Sequence, residues 1–252
     1  MKQSLKKLII PLLHIIRRMI SLILSHSIPS SPPPSPFPLA WQYYIDEEQR
    51  DSYNHFKKYF HNAIFLHHDE IRKYAINKAI SNHNQDYYYI EFGVRTGDTI
   101  NEMSGMLKGI TIYGFDSFEG LREDWKGYTA SKGRFNRNKQ VPRLNDNCVP
   151  VVGWIQDTFP KFIAENEDMK INFVHIDTDT YPTAKFILQQ IRPYLINDSI
   201  IIFDELYNFP GWSVGEYKAL TEVFSEEEYE YLAFSKSQAQ VVIQYKKRVV
   251  PT

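Results

Sequence analysis

The sequence predicts an α/β fold in which helices cover both faces of a mostly parallel sheet. From residue 87 onwards, short β-favouring apolar stretches alternate with stretches of helical spacing, and an antiparallel pair of strands ends the pattern. Residues 87–98, YYYIEFGVRTGD, join one such strand to a helix through a glycine turn. Acidic residues follow the ends of several strands, at the edge of the sheet where ligands bind in such folds.

The composition fits one domain of ordinary size with an extension. The chain has 252 residues, of which 43% are apolar, and this is enough for a sizeable core. Its net charge of −1 gives no bulk attraction to nucleic acid, so we expect no nucleic-acid partner. The single cysteine, Cys148, excludes an intrachain disulfide and a cysteine-based metal site. We expect it to be a small buried apolar residue.

The N-terminal region differs from the rest in charge. Residues 1–27 are predicted to form a helix with basic residues on one side and apolar residues on the other. Because Pro11, Arg17 and Arg18 interrupt it, this helix is a poor transmembrane span. Peripheral membrane contact through residues 1–24, organelle targeting, and packing on the domain or on a second subunit all fit it. We expect the cytoplasmic side of a membrane, and self-association into a homo-oligomer stays open.

Composition also sets the remaining domain boundaries. Residues 28–45 are rich in proline and serine and are predicted to be a semi-rigid linker. Residues 46–252 are assigned to the domain itself. Its first part, residues 46–82, has the apolar spacing of two or three helices.

The glycine turn follows the first predicted strand, residues 87–90. It contains Glu91, Gly93 and Gly97, and the spacing of residues 99–107 is helical. Glycine permits positive φ and close approach of a ligand to the backbone, and the helix start presents free N–H groups. Because the pattern is short, an ordinary strand-to-helix turn is the alternative.

The second predicted strand, residues 111–115, ends at Asp116. An acid at this place hydrogen-bonds a ribose diol in dinucleotide-binding folds, although a turn-capping aspartate would give the same pattern. Residues 119–147 then lack periodicity and carry aromatic side chains and a basic cluster of five residues. Since long irregular segments are usually functional, we predict a lid over the substrate, with a disordered insertion as the alternative. The basic residues are Lys132, Arg134, Arg137, Lys139 and Arg143.

Five more strands complete the pattern, with a helix predicted over residues 182–195. The strands are residues 149–153, 171–176, 199–203, 229–234 and 240–245.

Four acidic residues follow two of these strands and carry the strongest chemical signal. Asp177 and Asp179 share one side of the chain if the strand continues, and Asp204 with Glu205 ends the neighbouring strand. Four converging carboxylates repel one another unless a cation is present or one of them binds a proton. Oxygen ligands favour Mg²⁺, Ca²⁺ or Mn²⁺. The alternative is that loops scatter these acids into solvent.

Five motifs together resemble a known family. They are EFGVRTGDT, YGFDSFEGL, GWIQDTFP, HIDTDTYPTAK and FDELY. They are similar to the class I S-adenosylmethionine-dependent methyltransferases of the macrocin/mycinamicin (TylF-like) family, which methylate sugar hydroxyls. The resemblance covers about residues 87–245. It implies a Rossmann-like sheet of seven strands, S-adenosylmethionine over the first three strand ends, and Mg²⁺ or another hard divalent cation beside it.

The resemblance also implies roles for individual residues. The cofactor-binding positions are Glu91, Gly93, Gly97, Asp116, Ser117, Trp154, Ile155, Gln156 and Asp157. The metal-ligand positions are Asp177, Asp204 and Glu205, and Asp179 takes the place of a general base. Two residues depart from the family, which often has tryptophan at Arg95 and Asp or Asn at Glu205. Arg95 could contact the cofactor carboxylate or face solvent.

Two other functions stay open at this stage. A dinucleotide-dependent oxidoreductase shares the strand, turn and ribose acid, but its usual G-x-G spacing is absent. A non-catalytic, membrane-tethered binding domain would keep the fold without transferring a methyl group. We expect a small-molecule or glycan acceptor, whose identity the sequence does not give.

Overall fold

A computed structural model describes residues 39–247 of the chain. The chain divides into two units, Met1–Tyr43 and Tyr44–Thr252, and only residues 39–43 of the first are described. The predicted N-terminal helix, residues 1–27, and most of the predicted linker lie outside the described residues. A helix begins at Ala40, so the predicted end of the linker at residue 45 falls within it.

Six helices and eight strands are present in the described part of the chain. The helices are α1 Ala40–Phe56, α2 His68–Ser81, α3 Asp98–Met106, α4 Ile155–Glu165, α5 Tyr181–Ile191 and α6 Glu216–Val223. The strands are β1 Ile64–Leu66, β2 Tyr87–Phe92, β3 Ile112–Asp116, β4 Cys148–Val152, β5 Lys170–Ile176, β6 Leu195–Phe203, β7 Tyr229–Ser235 and β8 Val241–Tyr245.

The strands form one sheet in the order β1-β7-β8-β6-β5-β2-β3-β4. All neighbours pair in parallel except β8, which is antiparallel to both β6 and β7. The chain runs outward from β2 through β3 to β4 and then returns to β5, on the other side of β2. This reversal opens a crevice between β2 and β5 at their carboxyl ends, the usual ligand site of such sheets.

Helices pack on both faces of the sheet, as the sequence predicts. Buried residues of α2 and α3 pack on one face, and those of α4, α5 and α6 pack on the other. The central strand β5 is buried along nearly its whole length, from Ile171 to Ile176. Full burial on both faces explains why its sequence, INFVHI, is almost continuously apolar.

The sheet has eight strands, so the expected count of seven is wrong by one. The additional strand, β1, lies at the edge and pairs with β7, with Ile64 opposite Ala233. Its three residues fit the helical spacing of residues 46–82, and only the distant partner β7 makes them a strand. Helix α6 is also absent from the sequence-based elements. The antiparallel pair β7–β8 and the buried state of Cys148 agree with expectation.

Residues 119–147 contain no helix or strand but fold back on the end of β3. The Leu121 N–H donates to the Arg134 carbonyl at 2.9 Å, and the Arg137 N–H donates to the Phe118 carbonyl at 3.0 Å. The carbonyl of Arg134 also lies only 2.4 Å from where a Cβ on Gly120 would be. This segment is therefore anchored beside the crevice, and its role as a lid remains a prediction.

No helix within residues 39–247 combines the length and the apolar character needed to cross a membrane.

Candidate active site

The floor of the crevice is formed where β2 and β5 end. The Asp177 N–H donates to the Phe92 carbonyl at 2.9 Å, which continues the β2–β5 pairing past the last strand residue. Gly93 follows with a φ of +93°, and a Cβ there would lie 1.8 Å from the Asp177 carbonyl oxygen. Only glycine fits this contact, so the turn depends on Gly93 both for its conformation and for its closeness to β5.

This contact predicts a large effect for Gly93→Ala. The added methyl group must displace the β5 end, and we expect a loss of about 3 kcal/mol or more in the free energy of unfolding. Urea unfolding followed by fluorescence measures it. Gly105→Ala is the matched control, because Gly105 lies in α3 and a Cβ there would meet no atom within 4 Å. The control should be neutral or slightly stabilising, and equal stability of both variants would contradict the packing argument.

Asp116 ties the glycine turn to β3. One of its carboxylate oxygens accepts from the Val94 N–H at 2.9 Å and the Arg95 N–H at 2.7 Å. The other accepts from the Phe118 N–H at 2.7 Å. Asp116 also lines the cavity, and a carboxylate has more lone pairs than these three bonds use, so it can shape the turn and still accept from a ligand hydroxyl.

The cavity above this floor encloses about 380 Å³, a size suited to a small organic ligand. Most of the predicted site residues line it together. These are Gly93, Asp116, Ser117, Trp154, Ile155, Gln156, Asp177, Asp179, Asp204 and Glu205.

Three predicted cofactor residues lie elsewhere. Glu91 is completely buried and lies below the cavity, where it contacts His175. Gly97 caps the start of α3, and its missing Cβ leaves room for Leu144 and Pro142. Asp157 is exposed in the first turn of α4 and does not line the cavity.

His175 is a buried site residue that begins the motif HIDTDTYPTAK but received no role in the sequence analysis. Its Nδ1 lies 2.9 Å from Glu91 Oε1, and its Nε2 lies 3.5 Å from Asp204 Oδ1. Burial opposes its protonation, but the nearby carboxylates of Asp204 and Glu91 outweigh this and raise the pKa of His175 to about 10. The sequence does contain an indication of this place, since His175 precedes Asp177 by two residues and so lies on the same side of the strand.

The four predicted acids do converge at the crevice. Oxygen atoms of Asp177, Asp179 and Glu205 lie within 4.8 Å of one another, and His175, Asp177 and Asp204 form a second such group. Burial and the charge of Asp204 raise the pKa of Asp177 and of Glu205. For Asp204 itself, burial opposes ionisation, but the neighbouring His175 and the hydrogen bond from Gln240 lower the pKa overall.

A fifth acid, Glu216 at the start of α6, completes the cluster and was also missed. Its Oε2 accepts from the Glu205 N–H at 3.0 Å, so it fixes the turn that follows β6. Buried oxygens of Glu216 and Glu205, Oε1 and Oε2 respectively, have no hydrogen-bond partner. Unpaired buried carboxylate oxygens in a group of like charges are satisfied by a cation or by a bound proton. The donor set therefore fits a hard divalent ion.

The opposite wall of the cavity combines an aromatic ring with polar groups. The Arg122 guanidinium lies 5.6 Å from the Trp154 ring centre, and its Nη1 donates to Gln156 Oε1 at 2.9 Å. Ser117 is buried there, and its hydroxyl oxygen accepts from the Glu119 N–H. This wall offers a flat apolar surface with hydrogen-bonding groups at its edge, as a purine-type ligand requires.

Residues 90–206 match a protein family described as "Methyltransferase domain". All the cavity-lining residues from Gly93 to Glu205 lie within this stretch. Residues 90–206, less than half of the chain, are therefore similar to methyltransferase domains.

Solved structures of methyltransferases share the fold of this chain. CalS11, a calicheamicin methyltransferase, is similar with a TM-score of 0.61 and 24% identity, covering 85% of this chain and 88% of that chain. The O-methyltransferase NovP is similar with a TM-score of 0.56 and 20% identity, covering 71% of this chain and 79% of that chain. An apo structure of CalS11, described as a TDP-rhamnose 3'-O-methyltransferase, is similar with a TM-score of 0.54 and 22% identity. It covers 71% of this chain and 79% of that chain. These likenesses confirm the predicted Rossmann-like fold of class I methyltransferases. No curated protein sequence matches the chain.

Proposed function

We propose that this protein is an S-adenosylmethionine-dependent O-methyltransferase that acts, assisted by a divalent cation, on a hydroxyl of a sugar or another small hydroxylated acceptor. One observation carries the proposal. A glycine turn with its acid, Asp116, and a group of buried carboxylates line the same cavity. The similarity of residues 90–206 to methyltransferase domains supports the reaction type.

The donor would lie between the glycine turn and the Trp154 wall. Gly93 allows close approach to the backbone, and Asp116 with Ser117 would hold the ribose hydroxyls. Trp154 and Gln156 would border the adenine ring. Carboxylates near the reacting end favour a positively charged sulfonium over its neutral product.

Asp177, Asp204 and Glu205 would hold Mg²⁺ or another hard divalent cation. When bound, such an ion lowers the pKa of a coordinated hydroxyl group and balances the charge of the acids around it. His175 and Glu216 would keep two of these ligands in position, through the contacts with Asp204 and with the Glu205 N–H.

Asp179 would accept the proton of the acceptor hydroxyl. Without a bound cation, burial and the charge of Asp204 raise the pKa of Asp179 to about 7. A divalent ion beside it would lower that pKa and keep the carboxylate ionised, the form in which it can accept a proton. Its backbone is held at a φ of +63°, an uncommon conformation for a residue other than glycine. Asp179 would take this proton as the acceptor oxygen gains the methyl group. Bound S-adenosylmethionine would supply that group and keep the electron pair of the broken carbon–sulfur bond, leaving as neutral S-adenosylhomocysteine.

Within the O-methyltransferases, we propose the macrocin/mycinamicin (TylF-like) sugar O-methyltransferase family. The motifs FDSFEGL and HIDTDTY support this assignment. The description of CalS11 as a TDP-rhamnose 3'-O-methyltransferase points to the same acceptor class. Trp125 and Tyr128 also line the cavity and supply the aromatic surface on which sugar rings stack.

Titration calorimetry with S-adenosylhomocysteine and with NAD tests the donor class directly. We expect binding of the first compound and none of the second. The acceptor is then sought by incubating extracts with methyl-labelled S-adenosylmethionine and Mg²⁺. Binding of NAD alone would overturn the proposal, and S-adenosylhomocysteine binding without label transfer to any hydroxylated compound would indicate a non-catalytic domain.

Removal of divalent ions provides a separate prediction. Excess chelator should abolish label transfer, and added Mg²⁺ should restore it. Mg²⁺ at about 100 times its dissociation constant should also stabilise the folded protein by about 2.7 kcal/mol, which thermal unfolding measures as a higher Tm. Full activity in excess chelator would remove the cation from the proposal.

A further inference from the structure

The side-chain ring of Phe135, in the anchored segment 119–147, lies close to two guanidinium groups beside the cavity. The guanidinium carbon of Arg95 lies 4.5 Å from the Phe135 ring centre, and that of Arg134 lies 5.5 Å from it. Arg95 and Phe135 both line the cavity. Stacking on a ring orients each guanidinium plane without using its N–H donors, which stay available to a ligand.

The position of Phe135 is imposed by its surroundings. Its φ is +68°, a conformation that a bulky residue avoids unless neighbouring contacts require it. Hydrogen bonds on both sides of it, from the Leu121 N–H to the Arg134 carbonyl and from the Arg137 N–H to the Phe118 carbonyl, hold the backbone there. The ring therefore forms a fixed platform for the two arginines.

Within the described residues 39–247, neither arginine forms a direct ion pair with a carboxylate, although the charge of Arg95 acts on Asp179. The ion pairs in this part of the chain include neither Arg95 nor Arg134. In the same segment, Lys139 does pair with Glu119 at 3.4 Å, so acidic partners are not lacking there. Two guanidinium groups close to one ring repel each other, and an anion bound near them would offset this repulsion.

The pair lies close to the reacting end of the cavity. Arg95 belongs to the glycine turn, and its charge acts on Asp179, the proposed base. An anion held by Arg95 would thus lie beside both the proposed donor and the proposed acceptor.

We propose that Arg95, Phe135 and Arg134 form a subsite for a carboxylate or phosphate group. The proposal rests on the proposed methyltransferase function and adds a charged group to the ligand it must hold. A guanidinium fork binds such a group through two parallel hydrogen bonds. Two groups could occupy the subsite: the amino-acid carboxylate of the methyl donor, or an acidic group on the acceptor.

The donor source is tested by calorimetry with two compounds that share the nucleoside. S-adenosylhomocysteine carries the carboxylate, and methylthioadenosine lacks it. If the donor fills the subsite, Arg95→Gln should weaken S-adenosylhomocysteine about tenfold or more and leave methylthioadenosine unchanged. Arg143→Gln is the matched control, because Arg143 is an exposed residue of the same segment that neither lines the cavity, as Arg95 does, nor stacks on the Phe135 ring, as Arg134 does.

The acceptor source is tested with the label-transfer assay. If the acceptor fills the subsite, the methyl-labelled product made by the wild type should bind an anion-exchange resin at neutral pH. Arg95→Gln and Arg134→Gln should each reduce label transfer at least about tenfold, with unchanged S-adenosylhomocysteine affinity.

The outcomes separate this inference from the function on which it rests. If the wild type binds S-adenosylhomocysteine, but Arg95→Gln binds it equally well and the labelled product is uncharged, the subsite is overturned and the methyltransferase proposal stands. If the wild type binds no S-adenosylhomocysteine, both are overturned. Weaker S-adenosylhomocysteine binding by Arg95→Gln, but not by Arg143→Gln, supports a subsite for the donor carboxylate. Reduced transfer to a charged product, again not shared by Arg143→Gln, supports a subsite for the acceptor.

Discussion

Replacement of Asp177 by asparagine is expected to abolish methyl transfer while S-adenosylhomocysteine still binds. Asp177 belongs to both groups of potential metal ligands, and losing a cation that stabilises the reacting oxygen costs several kcal/mol of barrier, or about a thousandfold in kcat. The donor wall around Trp154 and the bonds of Asp116 do not involve its side chain, so donor affinity should change little.

A second prediction for Asp177→Asn concerns stability, which we expect to increase although activity is lost. The buried carboxyl of Asp177 has a raised pKa, owing to burial and to repulsion by Asp204, so its charge destabilises the metal-free fold at neutral pH. Asp177→Asn removes that charge and should stabilise the metal-free protein by about 1 kcal/mol in urea unfolding.

Asp168→Asn is the control for both measurements. Asp168 is exposed just before β5, at the opposite end of the strand from Asp177. Turnover and stability should match the wild type. A turnover loss in Asp177→Asn that follows a loss of folded protein would argue against a direct role in the reaction.

Replacement of His175 by leucine should produce the largest loss of stability. The imidazole is completely buried between Glu91 and Asp204, and its removal leaves the Glu91 carboxylate buried without its partner. Breaking a buried pair from one side costs about 3–5 kcal/mol. Urea unfolding of the metal-free protein measures the change, and an exposed histidine, His61, supplies the control His61→Leu, expected within about 0.5 kcal/mol of the wild type.

A double replacement separates charge from packing at this pair. If the loss comes from the unpaired Glu91 carboxylate, Glu91→Leu with His175→Leu should be more stable than His175→Leu alone, because neither partner then remains buried without the other. Apolar neighbours on the same face of the sheet, Tyr89 and Phe173, would pack against the new side chains. Equal instability of the single and double variants would attribute the loss to packing.

Much of the site could be predicted because parallel strands bring their carboxyl ends to one edge. Asp177, Asp204 and Glu205 each follow a strand that the sequence marks by its apolar run, and adjacent strands place them together. The same rule located Asp116 after β3 and Gly93 after β2. Strand β1 was not predicted, because its three residues are too few to show a strand period and its partner β7 is distant in sequence.

The sequence by itself determined the sheet, its ligand-binding edge and the acids gathered there, because period-two alternation and strand-end positions are local properties of the chain. Only the tertiary structure decided which side chains meet. Glu91 contacts His175 because β2 and β5 pair in the register that sets these residues side by side. Glu216 reaches Glu205, and Arg134 reaches the ring beside Arg95, through segments with no repeating pattern. Such contacts depend on the path of the folded backbone, which local spacing does not specify.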